Sequence, residues 1–276
     1  MTPALHISIG IAAFLAAVIL LAWLGLQVKP APFPPFRERT PAQLETLPLP
    51  GGLPAPVERF YRAVYGKRVP VIRTAVLTGR AVLKPVGNIA MPARFVFVHN
   101  AGKDYRHYIE ATWFGLPVLK VNEGILDHQS FFESPMGSYQ NDPNTNQGAN
   151  LALWAEAGWF PSILVTDPRV EWQPVDDNTA RLVVPAPVQR ESFLVRFNPQ
   201  TSLIDTMEAM RYRSPADTQK ILWITRNIPG KKIPGTRLDA TGSATWTDQG
   251  QPWAIFTLED AAYNVDVSTY IRQRGF

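Results

Sequence analysis

From Val71 onward the sequence is cut into short runs of β-branched and aromatic residues, separated by Pro, Gly and Asn. Runs such as "VIRTAVLTGRAVLK", "ARFVFVHN" and "YRHYIEATWF" have the composition of strands and are interrupted too often for long helices. Within the last, Tyr105, His107, Ile109, Ala111 and Trp113 fall on one face, and Arg106, Tyr108, Glu110 and Thr112 on the other. That period of two is the mark of a half-buried antiparallel strand. "AGKD" (Ala101–Asp104) is a hairpin turn, and "PVLKVNEG" and "QSFFES" continue the meander. Further hairpins turn at "VDDNT", "NPQT" and "DQGQP", all rich in residues that favour turns.

The pattern predicts about nine to eleven strands and two or three helices. No βαβ alternation occurs, which excludes doubly wound and TIM-barrel folds. The fold expected is mainly β (α+β): a large curved antiparallel sheet or half-barrel packed on a few helices. The 26 prolines agree with a chain poor in long helices, and 46% hydrophobic residues supply a core.

Two helices can be located. "LPAPVERFYRAVYG" (Leu53–Gly66) carries Val57, Phe60, Tyr61 and Val64 on one stripe, with Pro56 in the first turn and Gly66 at the end. "NDPNTNQG" (Asn141–Gly148) breaks the strand pattern and caps a second helix over Leu151–Phe160, which Pro161 stops or kinks.

Ahead of all this, Ile7–Val28 runs 22 residues without a charge. At helical rise that is roughly 33 Å, enough to cross the hydrocarbon core of a bilayer. A cleaved signal peptide would carry basic residues before a shorter apolar stretch, and no Lys or Arg precedes Ile7. The expected organisation is a transmembrane anchor over residues 1–28, a Pro-rich linker over 29–52 and a β-rich soluble domain over 53–276. Lys29, Arg37 and Arg39 after the span favour a cytoplasmic domain, whereas "KPAPFPPF" reads as a stiff spacer outside the cell membrane. The expectation adopted is single-pass and extracytoplasmic.

The chain has no cysteine, so disulfides, thiol nucleophiles and cysteine-held metals are excluded. A net charge of +4 is scattered and not gathered into a patch, which argues against nucleic-acid binding. No Gly-x-Ser-x-Gly elbow, Walker loop, His-Glu-x-x-His or dinucleotide fingerprint is present. Ser130, Ser134 or Ser138 with His128 and Asp127 lie too close along one strand to build a triad. His99 and His107 sit on the arms of one hairpin. A three-residue loop would set them opposite each other and a two-residue loop would not, and ordinary strand histidines are expected. Neither metal nor cofactor is expected.

One carboxylate stands out. Glu156 is the sole charge between Asp142 and Asp167. It lies on a helix that is apolar on nearly every side, so it must be paired or sit at a narrow wet margin. Arg181, Arg196, Arg211 and Arg213 are the candidate partners for a structural ion pair. A catalytic pairing would use Glu110 or Glu133. Trp113, Trp154, Trp159, Trp172, Trp223, Trp246 and Trp253 fill the core of a curved sheet or line a pocket in it.

The chain from Leu53 onward resembles a family of bacterial membrane-anchored proteins catalogued only as a domain of unknown function. The likeness is carried by "LPAPVERFYR", "LALWAEAGWFPSIL", "VEWQPVDDNTARL", the "FLVRFNPQT…RYR" hairpin and "GTRLDATGSATWT". Glu156, Trp159 and Pro161 match its Glu-x-x-Trp-x-Pro signature, and Trp172 with Asp176 its Trp-x-x-x-Asp hairpin. The resemblance implies a membrane-tethered β-rich domain and supplies no activity. By architecture the chain also resembles periplasmic lipoprotein carriers, whose curved sheet covers helices and holds acyl chains. The function expected is non-catalytic binding of a lipid or other apolar or amphipathic ligand through Glu156, Trp159, Trp113, His107 and Trp154. The alternatives are an envelope hydrolase using Glu156 with a second acid, and a structural or partner-binding membrane protein.

Overall fold

The computed structural model describes residues 3–85, 87–186 and 189–273. Helix α1 (Pro3–Gln27) leads through an extended segment to β1 (Thr46–Pro48) and α2 (Ala55–Tyr65). Then follow β2 (Arg68–Pro70), β3 (Thr74–Leu83), β4 (Met91–Asn100), β5 (Asp104–Trp113), β6 (Leu116–Leu126), β7 (Gln129–Ser134) and β8 (Gly137–Gln140). A helical connection comprises α3 (Pro143–Ala155), a 3₁₀ turn (Glu156–Trp159) and α4 (Ile163–Thr166). The second half is β9 (Glu171–Asp176), β10 (Thr179–Val184), β11 (Glu191–Phe197), β12 (Ile204–Arg211), β13 (Ile221–Lys232), β14 (Asp239–Trp246) and β15 (Pro252–Tyr263), closed by a 3₁₀ turn at Tyr270–Arg272.

Thirteen strands form one antiparallel sheet in the order β8-β7-β6-β5-β4-β3-β15-β14-β13-β12-β11-β10-β9. It is two meanders set side by side, joined where β15 pairs with β3. The helical connection therefore starts at one edge of the sheet and ends at the other. Along the way α3 touches β6 and β7 near the first edge and β12 near the second. Strands so far apart in a sheet reach one helix only if the sheet curls around it, the half-barrel expected from the sequence.

There are more strands than the sequence pattern predicts. β1 lies in the stretch read as linker, where it pairs with β2 through Thr46↔Pro70 and Pro48↔Arg68. Strands of three residues carry no readable period, so they escape a pattern search.

Each helix forms where local chemistry dictates. Pro54 precedes α2, Gly66 ends it at φ 78°, and Val57, Phe60 and Tyr61 are buried. The Asp142 carboxylate accepts from the Thr145 amide at 3.1 Å and so starts α3 well before Leu151. The main core lies inside the curl, where Leu151, Trp154, Phe160 and Leu164 meet Leu77, Phe95, Leu182, Phe193 and Val195.

A smaller cluster, Val76, Val96, Val98, Ala262, Val265, Val267 and Ile271, lies on the outer face beneath Phe33, Phe36 and Tyr270. β5 is therefore buried on both faces, not half-buried as its alternation suggests. The cause is the Pro-rich segment, which does not stand off as a free spacer. Its Phe33 ring lies 4.3 Å from the Arg94 guanidinium, Arg94 donates to the Ala31 carbonyl at 3.2 Å, and Arg39 pairs with Asp260 at 3.0 Å.

α1 is exposed from His6 to Leu24, and His6–Gln27 is long and apolar enough to cross a membrane. Its end docks on the β5–β6 hairpin. Trp113 donates from Nε1 to the Ala22 carbonyl at 3.0 Å, and the Phe114 amide donates to the Gly25 carbonyl at 2.8 Å.

Candidate functional site

The β4–β5 loop has three residues, and its register pairs His99 with Tyr105 and Phe97 with His107. The two histidines thus share the inner face as diagonal neighbours, not as an opposed pair. Glu156 reaches them from the helical connection, at the point where α3 tightens into its 3₁₀ turn. Its Oε2 lies 2.7 Å from His107 Nε2 and 2.9 Å from His99 Nε2. The partners of Glu156 are therefore histidines and not arginines. Arg196 is bound to Glu208 and Arg213 to Asp248.

On its other side His107 Nδ1 stands 3.2 Å from Glu123 Oε1, the β6 residue directly opposite it. Glu123, His107 and Glu156 form a continuous polar chain. Burial alone would pull the His107 imidazole down, but the carboxylates of Glu156 and Glu123 outweigh it and hold the ring up at about 9. Burial would likewise push Glu156 up, but His107 and His99 hold it down at about 2. His99 behaves differently. Fully buried, it is pulled below its ordinary value by desolvation, and Glu156 offsets this only in part. Its Nε2 is at contact distance from Glu156 without hydrogen-bond direction, so neither ring nitrogen has a hydrogen-bond partner among the described residues.

Glu110, a candidate second acid, is on the opposite face. It accepts from Arg94 at 2.7 Å and from the Tyr108 hydroxyl at 2.8 Å. Glu133 accepts from Asn122 at 3.1 Å. The second acid beside Glu156 is Glu123, which sequence reasoning missed. A register for the β5–β6 hairpin would have found it, because it sets Glu123 opposite His107. Ser130 is bonded to Thr145 and Asn146, and among the described residues it makes no hydrogen bond to His128.

His107, Glu156 and Glu123 open onto a cavity of about 500 Å³. Phe97, Trp159, Trp223, Trp246, Trp253 and Phe256 give it aromatic walls, and Arg211 and Arg213 give it cations. The Arg211 guanidinium lies 4.4 Å from the Trp223 ring centroid and that of Arg213 4.9 Å from Trp246. Four buried donors on this lining, Arg211 Nε, Arg213 Nε, Trp223 Nε1 and Trp253 Nε1, have no acceptor among the described residues.

Of the five ligand-binding residues expected from sequence, Glu156, Trp159 and His107 line this cavity. Trp154 is elsewhere, 1% exposed in the core against Gly102. Trp113 is also elsewhere, on the α1 contact. Chemically, the site joins an apolar chamber to a charged wall, and His99, His107 and Glu156 offer a set of ligand atoms within 4.8 Å of one another.

Two solved structures are similar to the chain at low identity. One is a putative outer membrane lipoprotein-sorting protein domain from Vibrio parahaemolyticus, with 6% identity, TM-score 0.41, and coverage of 78% of this chain and 92% of that one. The other is a LolA superfamily protein from Nitrosomonas europaea, with 9% identity, TM-score 0.45, and coverage of 79% and 96%. No curated protein matches the sequence. A family model matches residues 43–258, from β1 through α2, the helical connection and most of β15, and by that match the chain belongs to the family of unknown function DUF6544.

Proposed function

We propose that this protein is a membrane-tethered binding domain for an amphipathic ligand, a lipid or related molecule with an acyl body and an oxygen-rich, anionic head. The observation that carries the reading is the set of four N–H donors without an acceptor among the described residues, on a cavity with aromatic walls. A buried donor without an acceptor costs about 1–3 kcal/mol, and a ligand bringing carboxylate or phosphate oxygens removes that cost. Apolar walls with a few convergent polar groups are the general make-up of small-molecule sites. Arg211 supplies the charge for the head, and the tryptophans supply the surface for the body.

Tethering is supported by α1 and by the hairpin tip at its end, where Trp113, Phe114, Leu116 and Val118 are exposed. Apolar side chains beside the end of a membrane-length helix suit the bilayer interface. We assign the folded domain to the extracytoplasmic side; a C-terminal reporter active only outside the cytoplasm tests that side.

Titration of the full-length chain in mild detergent with oleate, read by tryptophan fluorescence, tests the binding. A saturable change is expected, weakened by replacing Arg211. A fluorescence signal indifferent to oleate and to acyl phosphates alike would overturn the reading.

A further inference from the structure

We infer that His99, His107 and Glu156 form a binding site for one divalent cation of the zinc class, with an open coordination position facing the cavity. The inference is independent of whether the cavity takes an amphipath.

Three observations converge on it. First, three good ligands are gathered from separate elements. His99 comes from β4, His107 from β5 and Glu156 from the 3₁₀ turn, with their ligand atoms within 4.8 Å of one another. Two imidazoles and a carboxylate are the protein ligand set of a zinc ion that keeps a fourth position open.

Second, His99 makes no well-directed hydrogen bond among the described residues. It is a fully buried imidazole whose two ring nitrogens lack hydrogen-bond partners among the described residues, and its Nε2 stands 2.9 Å from the oxygen that His107 also approaches. A polar ring left unsatisfied in a core requires a reason, and an ion held between the three side chains supplies one.

Third, His107 has the outer partner that metal-bound histidines generally show. Its Nδ1 lies 3.2 Å from Glu123 Oε1, a carboxylate that can keep the Nδ1 proton when an ion displaces the proton on Nε2.

The fit is close. In a tetrahedral site with metal–ligand bonds of about 2.0–2.2 Å, ligand atoms stand roughly 3.4 Å apart, so the Glu156 carboxylate withdraws by about half an ångström to admit the ion. It can do so, since its side chain is 17% exposed and borders the cavity. His107 and Glu156 both line that cavity, so the fourth position opens there, to water or to an anionic group of a ligand. Nitrogen donors select a borderline ion over Mg²⁺ or Ca²⁺, which prefer all-oxygen shells.

The test uses the full-length chain without a polyhistidine tag, stripped with chelator in mild detergent. Zn²⁺ added alone should bind one per chain by calorimetry and elemental analysis, and excess Mg²⁺ should not displace it. Co²⁺ in its place should give the visible absorption bands of a tetrahedral site. His99→Ala, His107→Ala and Glu156→Gln should each lose the stoichiometric ion. Glu123→Gln, which leaves all three ligands in place, should keep the stoichiometry and weaken binding about 10- to 100-fold. Wild-type protein that takes up no stoichiometric Zn²⁺ and gives no tetrahedral Co²⁺ spectrum would overturn the site, whatever the variants do. Equal binding by wild type and His99→Ala would overturn the ligand set.

Discussion

His107 Nε2 and Glu156 Oε2 stand 2.7 Å apart although 49 residues separate them in the chain, and this contact pins the helical connection to the first meander. Both side chains are well shielded, at 3% and 17% exposure, so neither charge is well solvated without the other. Glu156→Gln removes the main charge that holds the His107 imidazole up and should cost about 3 kcal/mol of stability. Denaturant unfolding with a midpoint unchanged from wild type would contradict the pairing.

The same contact sets a pH profile for chelator-treated protein. His107 is held up at about 9 from its ordinary 6.5, so its contribution is complete below 6.5 and lost as pH rises through 9. Glu156 is held down at about 2 from 4.5, so its contribution is complete above 4.5 and lost as pH falls through 2. The pair therefore stabilises fully between about 4.5 and 6.5. Thermal melts should fall from pH 6.5 towards 9, and His107→Gln should flatten that limb. An alkaline limb as steep in the variant as in wild type would assign it to other groups.

Three tryptophans that look alike in sequence should behave differently. Trp154→Ala opens a cavity in the core and should cost about 3–5 kcal/mol. Trp159→Ala should spare the fold better and weaken oleate binding about tenfold or more, by loss of one wall. Trp113→Ala should leave oleate affinity unchanged, since its bond is to Ala22 on α1. Equal effects of all three on binding would contradict the cavity assignment.

Arg211 distinguishes head from tail. With its guanidinium buried over Trp223, Arg211→Gln should weaken oleate strongly and a neutral monoacylglycerol of the same chain length hardly at all. Equal losses for both would mean that Arg211 shapes the wall and does not read charge.

Gly79 tests the seam between the meanders. A Cβ there would come 2.1 Å from the Thr257 carbonyl oxygen and 2.9 Å from the Phe95 ring, opposite the bulge between Leu258 and Asp260. Gly79→Ala should destabilise by about 2 kcal/mol or more, as an overpacked core position does. A wild-type melting temperature in that variant would contradict the close approach of β15 to β3.

The sheet was legible because period-two alternation and turn residues are local signals, clear in Tyr105–Phe114 and in "AGKD". The α2 boundaries were legible for the same reason, through Pro56 and Gly66. Glu156 was legible as an anomaly, a lone charge in an apolar run. Its partners were not, because His99 and His107 share a face only through a hairpin register that one residue of loop length decides. Glu123 was hidden one hairpin further on. The strap of Phe33 and Phe36 over β5 was also hidden, since a Pro-rich segment has the same composition whether it stands free or lies against a sheet. Trp113 lies away from the cavity because its face of β5 points inward everywhere except at the tip that meets α1.

The most direct measurement is native mass spectrometry of the full-length chain released from detergent after gentle extraction from its own membrane. One acyl-bearing, acidic ligand per chain is expected in wild type, and its loss in Arg211→Gln. A chain that flies without any ligand, and takes up none when oleate is added, would contradict the cavity as a binding site.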